Sequence, residues 1–454
     1  MVKAMKQWKR IIAMGLLLLM IMSPLIVQPT EAKAYKVADN MQWWYQDRFG
    51  LFIHLGAYAQ YGQGEWAMSE QKMSKKKYQE TIAAKFNPAS FDAKEIAQTA
   101  RKAGMKYIVI TAKHHEGLAM WDTKVAGFKD YTGTRQFSLQ QYTPFGASGR
   151  DLLMELKNAC AQEGLKFGLY YSIIDWNHSS QTFNNTFTHI KSMEARDAYI
   201  RDMKAQLQEL VTTYDPDVMW FDGDWTYKKN KPTLDAWWTK QDGVDLYNFM
   251  KQLKPSMLVN ERVCRRFGLG DFECPEQTVP VQKLSRPWET CQTMNGAWGY
   301  KKSQEKSYKS SRSMIQELVT VVSRDGNYLL NIGPKGDGTM TAGSKKILKA
   351  YGKWMEKNSD SIYGTTGSPF KKEPAWGRYT RKENTVYAHV FKWPSGKKLT
   401  LTALKNRKVQ GVTLLGSDRT LKYTVKKGRI TVTLPKKAPD ACDTVIAVLY
   451  QNKN

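Results

Sequence analysis

Cysteine is scarce in this chain. Cys160, Cys264, Cys274, Cys291 and Cys442 are scattered over 454 residues, and none stands at zinc-finger spacing. An odd number leaves at least one thiol unpaired, and a chain this long does not need disulfide staples. Cys264 and Cys274 lie close enough to close a short loop, and buried free thiols are an equal alternative. Long apolar runs are nearly absent as well. The one clear case, IIAMGLLLLMIM, falls short of the roughly 20 residues that a membrane helix needs. It follows a basic MVKAMKQWKR and precedes Ala32-Lys33-Ala34, which together make the three-part layout of a secretory signal. Residues 1–34 are therefore set apart from the fold, and the mature chain is expected to be secreted or held at the cell wall. Tandem repeats and low-complexity linkers are missing too.

Carboxylates are the other shortage: 42 Asp and Glu stand against 69 Lys and Arg, for a formal net charge of +27. Much of the surplus lies at the end of the chain, where residues 365–454 carry 19 Lys and Arg and only 5 Asp and Glu. Such a tail suits an anionic polymer, for instance an acidic cell wall or polysaccharide. Nucleic acid is the poorer fit for an exported protein. With 42% hydrophobic and 24% charged residues, the composition is that of a globular protein.

What the chain does have is a repeated pattern. RFGLFIHLG ends at His54, MKYIVITAKHH at His114 and His115, LKFGLYYS at Tyr171 and Ser172, and DPDVMWFDG at Asp222. SMLVNER ends at Arg262, and the short PWETC carries Glu289. Runs this uniformly apolar read as strands buried on both faces, the habit of parallel strands. Helical stretches separate them, among them AKEIAQTARKAG and RDLLMELKNACAQEG, and a seventh strand, GNYLLNIGP, follows. Strands alternating with helices predict an α/β fold, a (β/α)8-like barrel over residues 35–364. Only seven strands are visible unless DSIYGT supplies the eighth, so an irregular barrel is the expectation. Beyond residue 364, short β-branched segments predict a small antiparallel β-sandwich over 365–454, with a hairpin around Lys427-Gly428.

Barrel active sites are built at the C-terminal ends of the strands. Asp222 and Glu289, each beside apolar residues, offer the two carboxylates that glycoside hydrolysis uses. Glu289 is preferred as the acid because Trp288 beside it should raise its pKa; Glu261, Glu273 and Glu276 lie in the same interval. His114-His115-Glu116 is not a zinc-binding helix motif, and adjacent strand residues point to opposite faces. Hydrogen bonding to sugar hydroxyls is the simpler reading, with no metal and no cofactor.

Six ordered blocks, YQDRFGLFIHLGAYAQYGQGEWAM, KYIVITAKHHEGLAMWDT, GLKFGLYYS, DPDVMWFDGDW, WETCQTMNGAWGY and SRDGNYLLNIGPKGDG, resemble those of the α-L-fucosidases of glycoside hydrolase family 29. The resemblance implies a retaining exo-hydrolase of terminal α-L-fucose on glycans, with Asp222 as nucleophile and Glu289 as acid and base. It implies sugar binding by His54, Glu65, Trp66, His114, His115, Tyr171 and Arg262, with Trp298 near the methyl group of the 6-deoxy sugar. In a branch restricted to branched linkages the acid rides on a different loop, and there Glu273 or Glu276 would take the role. Leu55, Glu116, Glu261 and Val263 depart from the common pattern around the pocket. The alternatives are a hydrolase of a related sugar such as an α-L-galactoside, and a non-catalytic carbohydrate-binding protein.

Overall fold

The computed structural model describes residues 37–451 apart from 185–186, 229 and 418, so the proposed signal segment lies outside the described residues. The apolar runs become seven parallel strands: β1 (Phe49–Ile53), β2 (Tyr107–Lys113), β3 (Lys166–Ser172), β4 (Val218–Asp222), β5 (Leu258–Val259), β6 (Glu289–Thr293) and β7 (Asn327–Ile332). Apart from Lys166, every residue in them is buried. Their order is β6-β7-β1-β2-β3-β4-β5.

The gap between β5 and β6 is filled by residues 271–277. Asp271 N donates to Val259 O and Glu261 N to Phe272 O on one side. On the other, Glu289 N donates to Glu273 O and Gln277 N to Cys291 O. The bridges Asn260–Phe272, Glu273–Trp288 and Glu276–Cys291 are all parallel. This irregular strand takes the eighth position, and the chain passes through it before β6. The expected candidate DSIYGT instead contains part of a 3₁₀ turn, Ser359–Ser361. The true eighth segment hides in the sequence because Pro275 cannot donate to a ladder and three carboxylates interrupt any apolar run.

Six long helices cover the strands: α1 (Ala93–Lys102), α2 (Leu152–Gln162), α3 (Met193–Tyr214), α4 (Lys240–Leu253), α5 (Ser311–Ser323) and α6 (Ala342–Asn358). Each begins at a polar N-cap, in turn Asp92, Asp151, Ser192, Thr239, Ser310 and Thr341. Each cap side chain accepts a hydrogen bond from the backbone three residues on, a contact worth about 1 kcal/mol. Gly104, at φ +91°, turns the chain from α1 toward β2.

Two cores result. Phe52, Tyr107, Tyr170, Trp220 and Leu329 pack inside the barrel. Leu51, Ile108, Leu169, Met219 and Leu330 face the helices. After the barrel come a four-stranded antiparallel sheet and a three-stranded one, the latter holding the hairpin whose turn is Lys427-Gly428. Trp354 Nε1 donates to Asp443 O at 3.0 Å and Gln316 Nε2 to Cys442 O at 2.7 Å, tying these sheets to α6 and α5. All five cysteines are free thiols.

Candidate active site

A cavity of about 50 Å³ opens at the C-terminal ends of the strands. His54 follows β1, His114 and His115 follow β2, Asp222 ends β4, and Arg262 follows β5. All five line the cavity, with Trp66 and Trp298 from loops. Both histidines reach it because the chain bends there: the β2–β3 register shifts between Thr111 and Lys113, and the strand then ends.

Asp222 is the electrostatic centre. Arg262 Nη1 donates to its Oδ1 at 2.8 Å and Arg265 Nη2 to the same oxygen at 3.0 Å, while Tyr170 OH donates to Oδ2 at 3.2 Å. Burial pushes the carboxyl pKa up, but Arg262, His115 and Arg265 outweigh it and hold the group well below the usual carboxylate range. Asn260 fixes the strand end beneath, accepting from Phe221 N at 2.8 Å and donating to Phe221 O at 2.9 Å. The other nitrogen of Arg262, Nη2, reaches Glu276 Oε2 at 2.8 Å. One guanidinium thus links two carboxylates that both line the cavity. The Glu276 side chain is 40% exposed and that of Asp222 only 11%.

The histidines are neutral near pH 7. Burial lowers His54 to about 3 and His115 to about 4, and drives His114 well below its ordinary value. Asn331 Nδ2 donates to Trp298 O at 2.7 Å, which leaves its Oδ1 to accept from His54 Nδ1 at 2.7 Å. Ser172 Oγ donates to Ile174 O and so accepts from His115 Nδ1 at 2.7 Å. Both rings therefore keep Nε2 free as an acceptor. His115 Nε2 stands 3.6 Å from Asp222 Oδ2. Two acceptors facing each other at that distance frame a place for a hydroxyl donor.

Three expected site residues are elsewhere. Glu289 opens β6 rather than closing a strand, so its side chain lies at the N-terminal end of the barrel interior. There it accepts from Trp44 Nε1 at 3.2 Å, Tyr107 OH at 2.5 Å and Trp220 Nε1 at 3.2 Å. Burial does raise its pKa, to about 7, as its apolar neighbours implied. The shift is right and the place is wrong: Cys291, two residues on and on the same face, is the β6 residue that lines the cavity. Tyr171 points out of the barrel, donating to Gln206 Oε1 at 2.7 Å beneath α3, and Tyr170 is the inward tyrosine. Glu65 does not line the cavity; its Oε2 accepts from Gly299 N at 2.8 Å and so holds the loop that carries Trp298. Phe52, Tyr170, Trp220 and Trp225 complete the walls. Phe52 and Trp220 stand two residues before His54 and Asp222 and so share their face, and that spacing was the available signal.

Comparison with known proteins agrees with this geometry. The Alpha-L-fucosidase family profile matches residues 26–360, and the Alpha-L-fucosidase C-terminal domain profile matches residues 372–450. A tissue alpha-L-fucosidase from Rattus norvegicus is 29% identical over 426 residues, covering 88% of this chain and 86% of its own. Alpha-L-fucosidase isoenzyme 1 from Paenibacillus thiaminolyticus superposes with a TM-score of 0.79 at 33% identity, covering 91% of this chain and 99% of that one. A GH29 alpha-L-fucosidase from Bacteroides thetaiotaomicron, trapped as a covalent intermediate with 2-fluoro-fucosyl fluoride, superposes with a TM-score of 0.81 at 29% identity. That match covers 94% of this chain and all of the other.

Proposed function

This chain belongs to the α-L-fucosidase family and is a retaining exo-α-L-fucosidase; we propose that Asp222 and Glu276 carry its two displacements. Asp222 attacks the anomeric carbon and forms a fucosyl ester, while Glu276 protonates the departing oxygen. Glu276 then takes a proton from water, which attacks the ester and releases fucose with its configuration retained. The observation that carries this assignment is the shared Arg262: its two terminal nitrogens hold both carboxylates on one cavity. Glu276 stands at the more exposed side, where a leaving group departs. Glu289, tied to three donors below Trp220, has no path to that oxygen.

The remaining groups bind the sugar. Neutral His54 and His115 accept from its hydroxyls through Nε2. Phe52 and Trp298, whose rings lie 6.1 Å apart, form an apolar wall suited to the C6 methyl. Proton NMR of the first-formed sugar tests the stereochemistry. Initial α-fucose is expected, and initial β-fucose would overturn it. A panel of nitrophenyl glycosides tests the substrate, with the α-L-fucoside expected to be hydrolysed far faster than the α-L-galactoside.

We propose an exported, wall-associated setting on the composition of the two terminal segments. The N-terminal pattern of basic, apolar and small residues supports export through residues 1–34. The tail's charge supports retention at an anionic cell-wall surface: Lys371, Lys372, Lys397, Lys398, Lys426, Lys427, Lys436 and Lys437 are all exposed. Reversing these charges should release the enzyme from anionic wall material at low salt, and unchanged pelleting would make the tail's charge a matter of solubility alone.

A further inference from the structure

A cavity of about 730 Å³, much larger than the catalytic one, lies elsewhere on the barrel. It is a groove between α1 and α6 on the flank of the barrel. Six of its lining residues are cations, Arg101, Lys102, Lys106, Lys345, Lys349 and Lys353, against the single acid Glu356. Lys345 pairs with Glu95. Among the described residues the other five cations form no ion pair with a carboxylate; Lys106 still lies in the field of Asp47, so Arg101, Lys102, Lys349 and Lys353 carry the charge left for a ligand.

Lys345, Lys349 and Lys353 recur every fourth residue along α6, which places them about 6 Å apart in one row. Like charges at this spacing destabilise a helix. Arg101 and Lys102 face the row from the end of α1. Gly352 lets the two helices meet at the groove floor, since a Cβ there would sit 2.5 Å from Lys102 O. Lys106 immediately precedes β2, so the groove opens toward the N-terminal ends of the strands, away from the catalytic mouth. The lining offers one ring face, Tyr363, and Lys106 Nζ covers it at 4.6 Å. Bases therefore find no stacking platform, which sets nucleic acid aside. A row of compact ammonium groups instead matches regularly spaced phosphates.

We propose that this groove binds a linear phosphate polymer, holding the enzyme by its flank while the catalytic mouth stays open to glycans. The inference is independent of the tail's charge and of the catalytic assignment.

The test uses the full-length protein and labelled long-chain inorganic polyphosphate, followed by fluorescence anisotropy across a salt series. The parent should bind. Combined Arg101→Glu, Lys349→Glu and Lys353→Glu should weaken binding at least tenfold and lower the salt slope by about 2, at roughly 0.7 per phosphate contact. The neutral set Arg101→Gln, Lys349→Gln and Lys353→Gln should show a smaller loss in the same direction. Hydrolysis of nitrophenyl fucoside should be unchanged in both, which also reports that they fold. Failure of the parent to bind at low salt overturns the proposal. So does undiminished binding by the groove variants, or binding abolished only by reversing the tail lysines. Equal affinity for polygalacturonate would overturn the assignment to phosphate.

Discussion

Arg265 Nη2 shares Oδ1 of Asp222 with Arg262, at 3.0 Å against 2.8 Å. Asp224, fully buried, holds Arg265 in place by accepting from its backbone N at 2.6 Å and its Nε at 2.7 Å. Two guanidinium groups on one oxygen make Asp222 a weaker nucleophile and a better leaving group. The second property serves the hydrolysis of the fucosyl ester. Arg265→Met should therefore slow that step by roughly 10- to 100-fold, as expected from the 1.5–3 kcal/mol of a hydrogen bond to a charged group. Rapid-mixing measurements on a nitrophenyl fucoside should then show a burst of nitrophenol. Steady release without a burst and an unchanged kcat would limit Arg265 to supporting Asp224.

Glu276→Ala should lose about 10²–10⁴-fold on fucosides with poor leaving groups and much less on activated aryl fucosides. Azide should rescue turnover and yield the α-fucosyl azide, because it replaces water in the second step. Glu289→Gln should keep its activity on poor leaving groups, and the opposite pattern would restore Glu289 as the acid.

Glu289 should instead appear in the pH dependence of stability. Its carboxyl is raised from 4.5 to about 7 in the folded state, mainly by burial. Between those values the folded protein holds a proton that the unfolded chain releases, so stability falls as pH rises through this window. The total is on the order of 3 kcal/mol. Glu289→Gln carries no such proton. Urea denaturation at pH 5 and pH 8 should show the parent losing more stability than the variant, and parallel losses would contradict the assignment.

The adjacent tyrosines of β3 should separate cleanly. Tyr170→Phe removes a donor from Asp222 and should lower kcat about tenfold with little change in Tm. Tyr171→Phe strands the buried Gln206 carbonyl and should cost about 1–3 kcal/mol of stability while leaving kcat near the parent value. Both are read by nitrophenyl fucoside kinetics and thermal unfolding.

These contrasts mark where the sequence was legible. Asp222, His54 and Arg262 follow uniform apolar runs, and the rule that barrel sites form at strand ends put them where the cavity lies. Tyr170 and Tyr171 defeat that rule because a strand buried on both faces has no polar alternation to reveal which residue points inward. Glu289 defeats it because PWETC begins a strand where the other runs end one. Its raised pKa follows from burial, and burial is as available below the cavity floor as beside it. Glu276 was visible only as an alternative, since Asp271, Glu273 and Pro275 disguise its segment as a loop.

That disguise has a stereochemical consequence. Asp222 ends a strand whose neighbour β3 pairs with it at five successive positions, Gly168–Val218 to Ser172–Asp222. Glu276 is carried by a segment that pairs with its neighbours through isolated bridges rather than a continuous ladder. A one-residue slip there would slide the proton donor along the barrel axis while the nucleophile stayed still. The gap between the two carboxylates, which separates an enzyme that preserves the anomeric centre from one that inverts it, is thus governed by the barrel's least regular staves.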